Sequence, residues 1–372
     1  MSLSVLVDAT SIPPNRGGVA RYIAGLLQGL DEADVSVSVV VKRGDRSWLS
    51  GVAPGHRYVD APRLVRARPV RLAWEQLGLP LLARRLGVAV LHCPHYTFPL
   101  GAARRSVVTL HDATFFSDPA AHSRLKRVFF RTWITLARRW TRATVTPSQA
   151  TADEIHRYVP SAIPNAVAPL GVDRSVFHPA TDDAMADFRR AHGLSPDDRW
   201  IAFLGTVEPR KSVPALIDAH AALTASVKGT PPLLVAGGLG WDESAVHILR
   251  AAGDVPGAGL RYLGYLPLDQ LSAFLGGSEL VVYPSTGEGF GLPVLEAMAS
   301  GGAVLTTRRL ALPEVAGDAA AYSEPDAESL HHGMKALLAD DERRRSLVLN
   351  GLERSAGFTW RACAEAHQVV YS

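Results

Sequence analysis

Cysteine is scarce in this chain: the two present, Cys93 and Cys363, lie far apart and form no C-x-x-C spacing. That excludes a disulfide framework and a zinc site built on paired thiolates, and it fits a reducing compartment. Lysine is equally sparse, at Lys42, Lys126, Lys211, Lys228 and Lys335, so most of the basic charge is arginine. Aromatic residues amount to 7%. The basic residues are scattered without an aromatic-interleaved stripe, which excludes the usual nucleic-acid surfaces. No apolar run reaches the roughly eighteen residues that cross a bilayer, because Gly, Pro, Arg and Asp interrupt each one. Met1-Ser2-Leu3 leads into an apolar strand with no basic n-region and no small-residue cleavage site. A cytoplasmic location is expected, with peripheral contact at the inner face of the membrane left open. Two absences bear on chemistry: no G-x-G-x-x-G follows a strand, against a dinucleotide site, and no D-x-D metal motif stands at a strand end.

What is present is a chain of 372 residues, 47% hydrophobic and 20% charged, with a net charge of +3. The length suits two domains of ordinary size, and the slight basic excess is compatible with an anionic partner. Short β-branched apolar runs alternate with helix-period stretches, the pattern of parallel sheets covered on both faces. Strands are expected at Val5 to Ala9, Val35 to Val41, Val88 to His92, Val107 to Leu110 and Ala143 to Pro147. Helices are expected around Arg21 to Leu30, Leu72 to Leu86, Ser123 to Trp140 and Ala150 to Tyr158. A Pro-rich stretch from Pro160 to Asp182 reads as an interdomain linker. The alternation then restarts with strands at Ile201 to Gly205, Leu233 to Gly237, Tyr262 to Gly264, Leu280 to Tyr283 and Ala303 to Thr306. Open α/β sheets bind ligands at the carboxyl ends of their strands, so the residues just after each strand are the first candidates.

After the first strand, Pro13 to Arg21 carries Gly17 and Gly18 into a helix, where backbone amides can approach an anion; a simple tight turn reads equally well. His111 and Asp112 follow another strand, and a histidine there can bind or move protons, a role that His92 and His95 could fill equally. Gly205 directly follows a strand, and Arg210 and Lys211 come soon after it; a planar fork beside a compact cation suits a diphosphate. Finally Tyr283 to Gly301 contains a strand end, a loop with Gly287, Gly289 and Gly291, and a helix starting near Leu292 with Pro293 in its first turn. The amides of Phe290, Gly291 and Leu292 can cradle phosphate oxygens at the positive end of that helix. Glu288 lies in the loop, and Glu296, in the helix, can accept hydrogen bonds from a ribose diol.

The run Glu288 to Gly301, two glutamates separated by seven residues in a sequence similar to E-G-F-G-L-P-x-x-E-A-x-A-x-G, resembles the family-4 glycosyltransferases of the GT-B fold. The likeness continues in Gly17-Gly18, Arg21-Tyr22, His111-Asp112, Pro169 to Asp173, Gly205-Thr206, Arg210-Lys211 and Leu312 to Val315. It implies two doubly wound Rossmann-like domains facing across a cleft. An acceptor-binding domain would span 1–175, with the last helix, 357–372, packed back on it, and a donor-binding domain would span 176–356. It implies a retaining transferase that needs no metal and no cofactor, with a nucleotide diphosphate sugar as donor. Arg210 and Lys211 would bind the diphosphate, Glu296 the ribose and Glu288 the sugar hydroxyls. His111 would stand beside the reacting sugar, and Gly18 would close over the diphosphate. Trp74-Glu75-Gln76 and His92-Cys93-Pro94 look like bacterial mannosyltransferases of surface polysaccharide, which implies GDP-mannose as donor and a sugar, lipid-linked or small-molecule hydroxyl as acceptor. A UDP-sugar donor, an epimerase on the same fold and a catalytically silent nucleotide-sugar-binding partner are the alternatives.

Overall fold

A computed structural model describes residues 4–13, 17–119 and 122–372. The chain divides into two compact units, one made of 1–171 and 358–372 and the other of 172–357. The first unit holds strands β1 (Val5–Asp8), β2 (Ser38–Val41), β3 (Arg57–Asp60), β4 (Val90–Cys93), β5 (Ser106–Thr109), β6 (Ala143–Thr146) and β7 (Asn165–Val167). Its helices are α1 (Gly18–Glu32), α2 (Arg43–Val52), α3 (Arg68–Arg85), α4 (Thr114–Ser117), α5 (Arg124–Trp140) and α6 (Gln149–Tyr158). The second unit has α7 (Asp182–Ala191), β8 (Ile201–Leu204), α8 (Val213–Ser226), β9 (Leu233–Ala236), α9 (Glu243–Ala252), β10 (Leu260–Gly264), α10 (Leu268–Gly276) and β11 (Leu280–Tyr283). It continues with α11 (Leu292–Ala299), β12 (Val304–Thr306), α12 (Leu312–Ala316), β13 (Ala321–Tyr322), α13 (Ala327–Leu338) and α14 (Asp341–Ala356); α15 (Trp360–Tyr371) returns to the first unit.

Both sheets are parallel throughout, with strand orders β3-β2-β1-β4-β5-β6-β7 and β10-β9-β8-β11-β12-β13. The order reverses between β1 and β4 in the first sheet and between β8 and β11 in the second. In doubly wound sheets a crevice opens at the carboxyl ends of such a pair, because the two following connections leave on opposite faces. β1, β4, β5, β6, β8, β9 and β11 are buried at every position. Helices cover both faces of these strands, which therefore read as unbroken apolar runs.

Three strands escape the sequence pattern. β3 and β7 are sheet edges with half-buried or exposed side chains, and β13 is a two-residue edge. β7 corrects the reading of Pro160 to Asp182 as a linker throughout. An edge strand tolerates flanking proline, and the Pro164 carbonyl itself accepts from the Thr144 amide at 2.9 Å.

The helix α15 starts at the Thr359 cap, whose hydroxyl accepts from the Ala362 amide at 3.1 Å. It lies against α1 at two glycines. A Cβ on Gly29 would stand 1.9 Å from the Trp360 carbonyl oxygen, and one on Gly25 would stand 2.1 Å from the Trp360 ring. Among the described residues no helix is long and apolar enough to cross a membrane.

Candidate functional site

In the second unit the reversal pair β8 and β11 brings together two loops that are far apart in sequence. The Arg210 carbonyl accepts from the Thr286 amide at 2.7 Å and from the Ser285 and Thr286 hydroxyls at 3.1 Å each. The Arg210 guanidinium donates back to the Gly287 carbonyl at 2.9 Å. The loop after β8 therefore has one register against the loop after β11, and that register sets the side chains.

Glu288 is the hub. Its Oε1 accepts from the Tyr283 hydroxyl at 2.7 Å, the Ser285 hydroxyl at 2.9 Å and Lys211 Nζ at 3.2 Å, while Arg210 pairs with Oε2. Lys211 also donates to the Tyr283 hydroxyl. Arg210 Nη2 reaches Glu208 Oε1 at 2.6 Å. Two cations and two carboxylates thus offset one another with Lys211, Glu208 and Glu288 all buried, which meets the requirement that buried charges be paired. Burial alone raises the Glu288 pKa, but Arg210, and after it Lys211, outweigh burial and hold the carboxyl well below the usual carboxylate range. Burial lowers the Lys211 pKa, with Glu288 opposing it.

Glycines let these loops close. Gly237, at φ 124°, would place a Cβ 2.2 Å from the Gly205 carbonyl oxygen. Gly205 itself lies against Lys211, whose Cδ is 3.4 Å from where its Cβ would be. The helix α11 begins at Leu292 behind Gly291, which is left-handed at φ 102° and offers no side chain to cap the first-turn amides. Pro293 occupies the first turn, and Phe290 is buried beside it. An uncapped helix N-terminus of this kind favours an anion. Glu296, one turn into α11, is 2% exposed, unlike an ordinary surface glutamate. Gly289 continues the loop between Glu288 and Phe290.

In the first unit, Gly17 caps α1 and Gly18 opens it with ordinary backbone angles. A Cβ on Gly18 would meet no atom within 4 Å, so the space there is open. Pro14, Asn15 and Arg16 of the expected loop lie outside the described residues. His111 stands two residues beyond β5. Its Nε2 is 2.7 Å from the Pro94 carbonyl oxygen; because a carbonyl only accepts, Nε2 carries the proton and Nδ1 is left as an acceptor. Burial lowers the His111 pKa, against that hydrogen bond and Asp112. The His95 ring is 5.8 Å from the His111 ring, and burial and His111 together pull the His95 pKa down to about 3. His92 is fully buried within β4 with its two ring nitrogens bonded to Thr109 and Tyr371, whereas His95 and His111 follow the ends of β4 and β5.

Several residues of these clusters carried no role in the sequence reading. Glu208, Tyr283 and Ser285 complete the Glu288 hub, and their signal was their position at or just beyond a strand end or beside the cation pair. Asp8, the last residue of β1, and Glu75 of α3 flank Arg71 at 3.7 and 2.9 Å. Burial raises the Glu75 pKa in spite of Arg71.

Comparison with known proteins adds an independent line. Residues 185–354 match the family described as Glycosyl transferases group 1, and residues 16–176 match Glycosyltransferase Family 4. Over 306 residues the chain is 28% identical to O-antigen chain mannosyltransferase B of Escherichia coli, covering 82% of this chain and 77% of that one. It is 36% identical over 166 residues to the serotype-specific mannosyltransferase WbdA of Escherichia coli, covering 44% of this chain and 20% of WbdA. The solved structure of HepE from Anabaena, in complex with UDP-glucose, shares the fold with a TM-score of 0.75 over 99% of each chain at 17% identity.

Proposed function

We propose, from the premise that this chain is a GT-B glycosyltransferase belonging to glycosyl transferases group 1 and glycosyltransferase family 4, that it moves mannose from GDP-mannose to a hydroxyl acceptor. Transfer retains the anomeric configuration and uses no resident metal. The observation that carries the donor assignment is the Glu208, Arg210, Lys211 and Glu288 cluster at the β8/β11 reversal, with the N-terminus of α11 beside it in sequence. Similarity to two mannosyltransferases supports the sugar, and GDP is the carrier we assign to it. The acceptor belongs to polysaccharide, glycolipid or glycoside synthesis.

In this reading the diphosphate takes the amides of Gly291 and Leu292 and the outer part of Arg210, while Lys211 supplies the second positive charge. Glu296 receives the ribose hydroxyls. Glu288 spends Oε1 on Tyr283, Ser285 and Lys211, so its sugar contact falls to Oε2, which it shares with the Arg210 guanidinium. As the bond between the anomeric carbon and the diphosphate oxygen breaks, its electron pair passes to the diphosphate. The acceptor oxygen bonds to the same face of the carbon, and its proton passes to the departing phosphate oxygen. Fixed donors aimed at that developing charge need little reorganisation, which is the largest contribution a protein makes to such a step. His111, with Nε2 committed to Pro94, offers Nδ1 as an acceptor for a hydroxyl.

Calorimetry and thermal shift with GDP, UDP, ADP and TDP, each with and without EDTA, test this directly. Selective stabilisation by GDP, indifferent to EDTA, is expected. A response to UDP alone would replace mannose by a uridine-linked sugar, and a response to none would remove the donor site and favour a catalytically silent partner.

A further inference from the structure

Beneath His111 the first unit contains a buried polar chain that the proposed reaction does not use. His367 on α15, 0% exposed, has Nδ1 at 2.7 Å from the Cys363 carbonyl oxygen and Nε2 at 2.8 Å from the Tyr22 hydroxyl. Tyr22, on α1, also meets the Thr109 hydroxyl at 2.7 Å. Thr109 ends β5 and lies 2.8 Å from His92 Nε2, and His92 Nδ1 lies 2.7 Å from the Tyr371 hydroxyl on α15.

These contacts admit a single set of proton positions when both histidines are neutral. The Cys363 carbonyl can only accept, so His367 carries its proton on Nδ1 and its Nε2 accepts from Tyr22. With its one proton committed, Tyr22 accepts from Thr109. Thr109, having spent its own, accepts from His92 Nε2–H. His92 Nδ1 is then bare and accepts from Tyr371. Every donor and acceptor in the chain is used once, in one direction. Burial keeps both rings neutral: it takes the His367 pKa down to about 4 and the His92 pKa well below the ordinary value. A chain of this kind rigidifies its members when fully satisfied.

Its outlet is His111. The Tyr22 ring stands edge-on to the His111 ring, with centroids 5.1 Å apart and planes at 83°. Thr109 precedes His111 by two residues, and its carbonyl accepts from the Tyr96 amide at 3.1 Å; the Tyr96 ring is a second wall of the same imidazole at 5.8 Å. We propose that Tyr22 is a positioning residue for His111, and that His367 and Tyr371 orient it from the C-terminal helix through this directed hydrogen-bond chain. The inference rests on the reading of His111 as a group serving the reacting sugar, but its structural half stands apart from that reading.

The test uses the full-length chain with Tyr22→Phe, His367→Ala and His367→Gln. Gln offers an acceptor oxygen near the position of Nε2. Side-chain 15N spectra of the wild type should show His367 protonated on Nδ1 and both His92 and His111 protonated on Nε2. Tyr22→Phe and His367→Ala should shift the His111 imidazole signals. They should also lower kcat by about 10- to 100-fold, the scale set by small misplacements of a reacting group, with the donor KM unchanged; His367→Gln should recover most of both. Thermal unfolding confirms that each variant is folded, and if Tyr22→Phe fails to fold, the His367 pair carries the comparison alone. His111 signals unmoved in the folded Tyr22→Phe and His367→Ala variants, or His367→Gln as impaired as His367→Ala, would overturn the proposal. Shifted signals in a chain that transfers no sugar would leave the positioning chain intact and remove the transferase reading instead.

Discussion

Replacing Glu288 by glutamine changes almost no volume and removes one charge from the centre of the buried cluster where the loops after β8 and β11 meet. In the native arrangement the carboxylate is buried and shared by Arg210, Lys211, Tyr283 and Ser285. Glutamine cannot offset two cations, and its amide group must donate where the carboxylate accepted. Removing one partner of a buried ion pair costs about 3–5 kcal/mol, most of it the charge left uncompensated. At about 2–4 °C per kcal/mol for a unit of this size, the midpoint of thermal unfolding should fall by about 6–20 °C. The variant should then gain more from a nucleoside diphosphate than the wild type does, because phosphate oxygens supply the negative charge that Arg210 and Lys211 have lost. Transfer should still fall, since the same cations are no longer held in place.

Differential scanning fluorimetry at several diphosphate concentrations reads both quantities in one experiment. An unchanged midpoint would refute the ion-pair hub. A lowered midpoint with no larger response to diphosphate would keep the hub and refute the phosphate role of the cations. pH adds a third readout. The Glu288 pKa is depressed in the folded chain from an ordinary value of 4.5. The stability it contributes is therefore fully present above about pH 4.5 and is lost as pH falls from there towards the folded value. The gap between wild type and Glu288→Gln should narrow on acidification below that point and stay constant above it.

Three further outcomes are expected. Lys211→Ala should weaken diphosphate binding by about 1.5–3 kcal/mol, the range for hydrogen bonds to a charged group, or roughly 10- to 150-fold by calorimetry; equal affinity would take Lys211 out of the site. Glu296→Ala should lower affinity for nucleoside diphosphate while leaving inorganic pyrophosphate binding unchanged, and equal losses for both ligands would contradict the ribose assignment. Gly29→Ala would drive a Cβ into the Trp360 carbonyl, an overpacking that costs about 1–3 kcal/mol; faster amide exchange in α15 should report it, and unaltered exchange would mean that the helix interface is slack.

How much of this was legible in the sequence follows from burial. The strands covered on both faces, such as β5 with its run Val107 to Thr109 and β11 with Leu280 to Tyr283, declare themselves as apolar runs. β3, β7 and β13 do not, because an edge strand with half-solvated side chains has no such signature, and prolines around β7 pointed towards irregular structure. In the loops after β8 and β11 the order of glycines and the spacing of Glu288 and Glu296 were readable, as was the start of α11 behind Gly291. What could not be read was which side chains meet. Nothing in the local sequence tells Glu208 that Arg210 turns towards it, or tells Tyr283 that Lys211 lies across its ring and hydroxyl. The Glu208 contact is a turn of one loop, and the Lys211 contact depends on β8 and β11 being neighbours, a fact of topology and not of spacing. The chain from Tyr22 to His367 is invisible for the same reason, since its members are separated by almost the whole length of the protein.

In the proposed reading, the cluster of Glu208, Arg210, Lys211 and Glu288 also bears on how a leaving diphosphate is stabilised. A bare pair of cations would bind phosphate tightly in the ground state and gain little as charge develops, because binding substrate and transition state equally does not raise kcat. In this chain Arg210 and Lys211 are already offset by Glu208 and Glu288, so the net charge of the cluster is close to zero before any ligand arrives. Arg210 keeps 22% of its side chain exposed, whereas Lys211 keeps 7%. In that reading the diphosphate competes with Glu208 for the outer edge of Arg210, and the competition shifts in its favour as the sugar bond breaks and negative charge accumulates on its oxygens. On the same reading Glu208 is a counterweight that keeps ground-state binding modest. Glu208→Gln should accordingly tighten diphosphate binding while raising kcat little or not at all. A Glu208→Gln variant that binds diphosphate more weakly than the wild type would show instead that Glu208 only holds Arg210 in place.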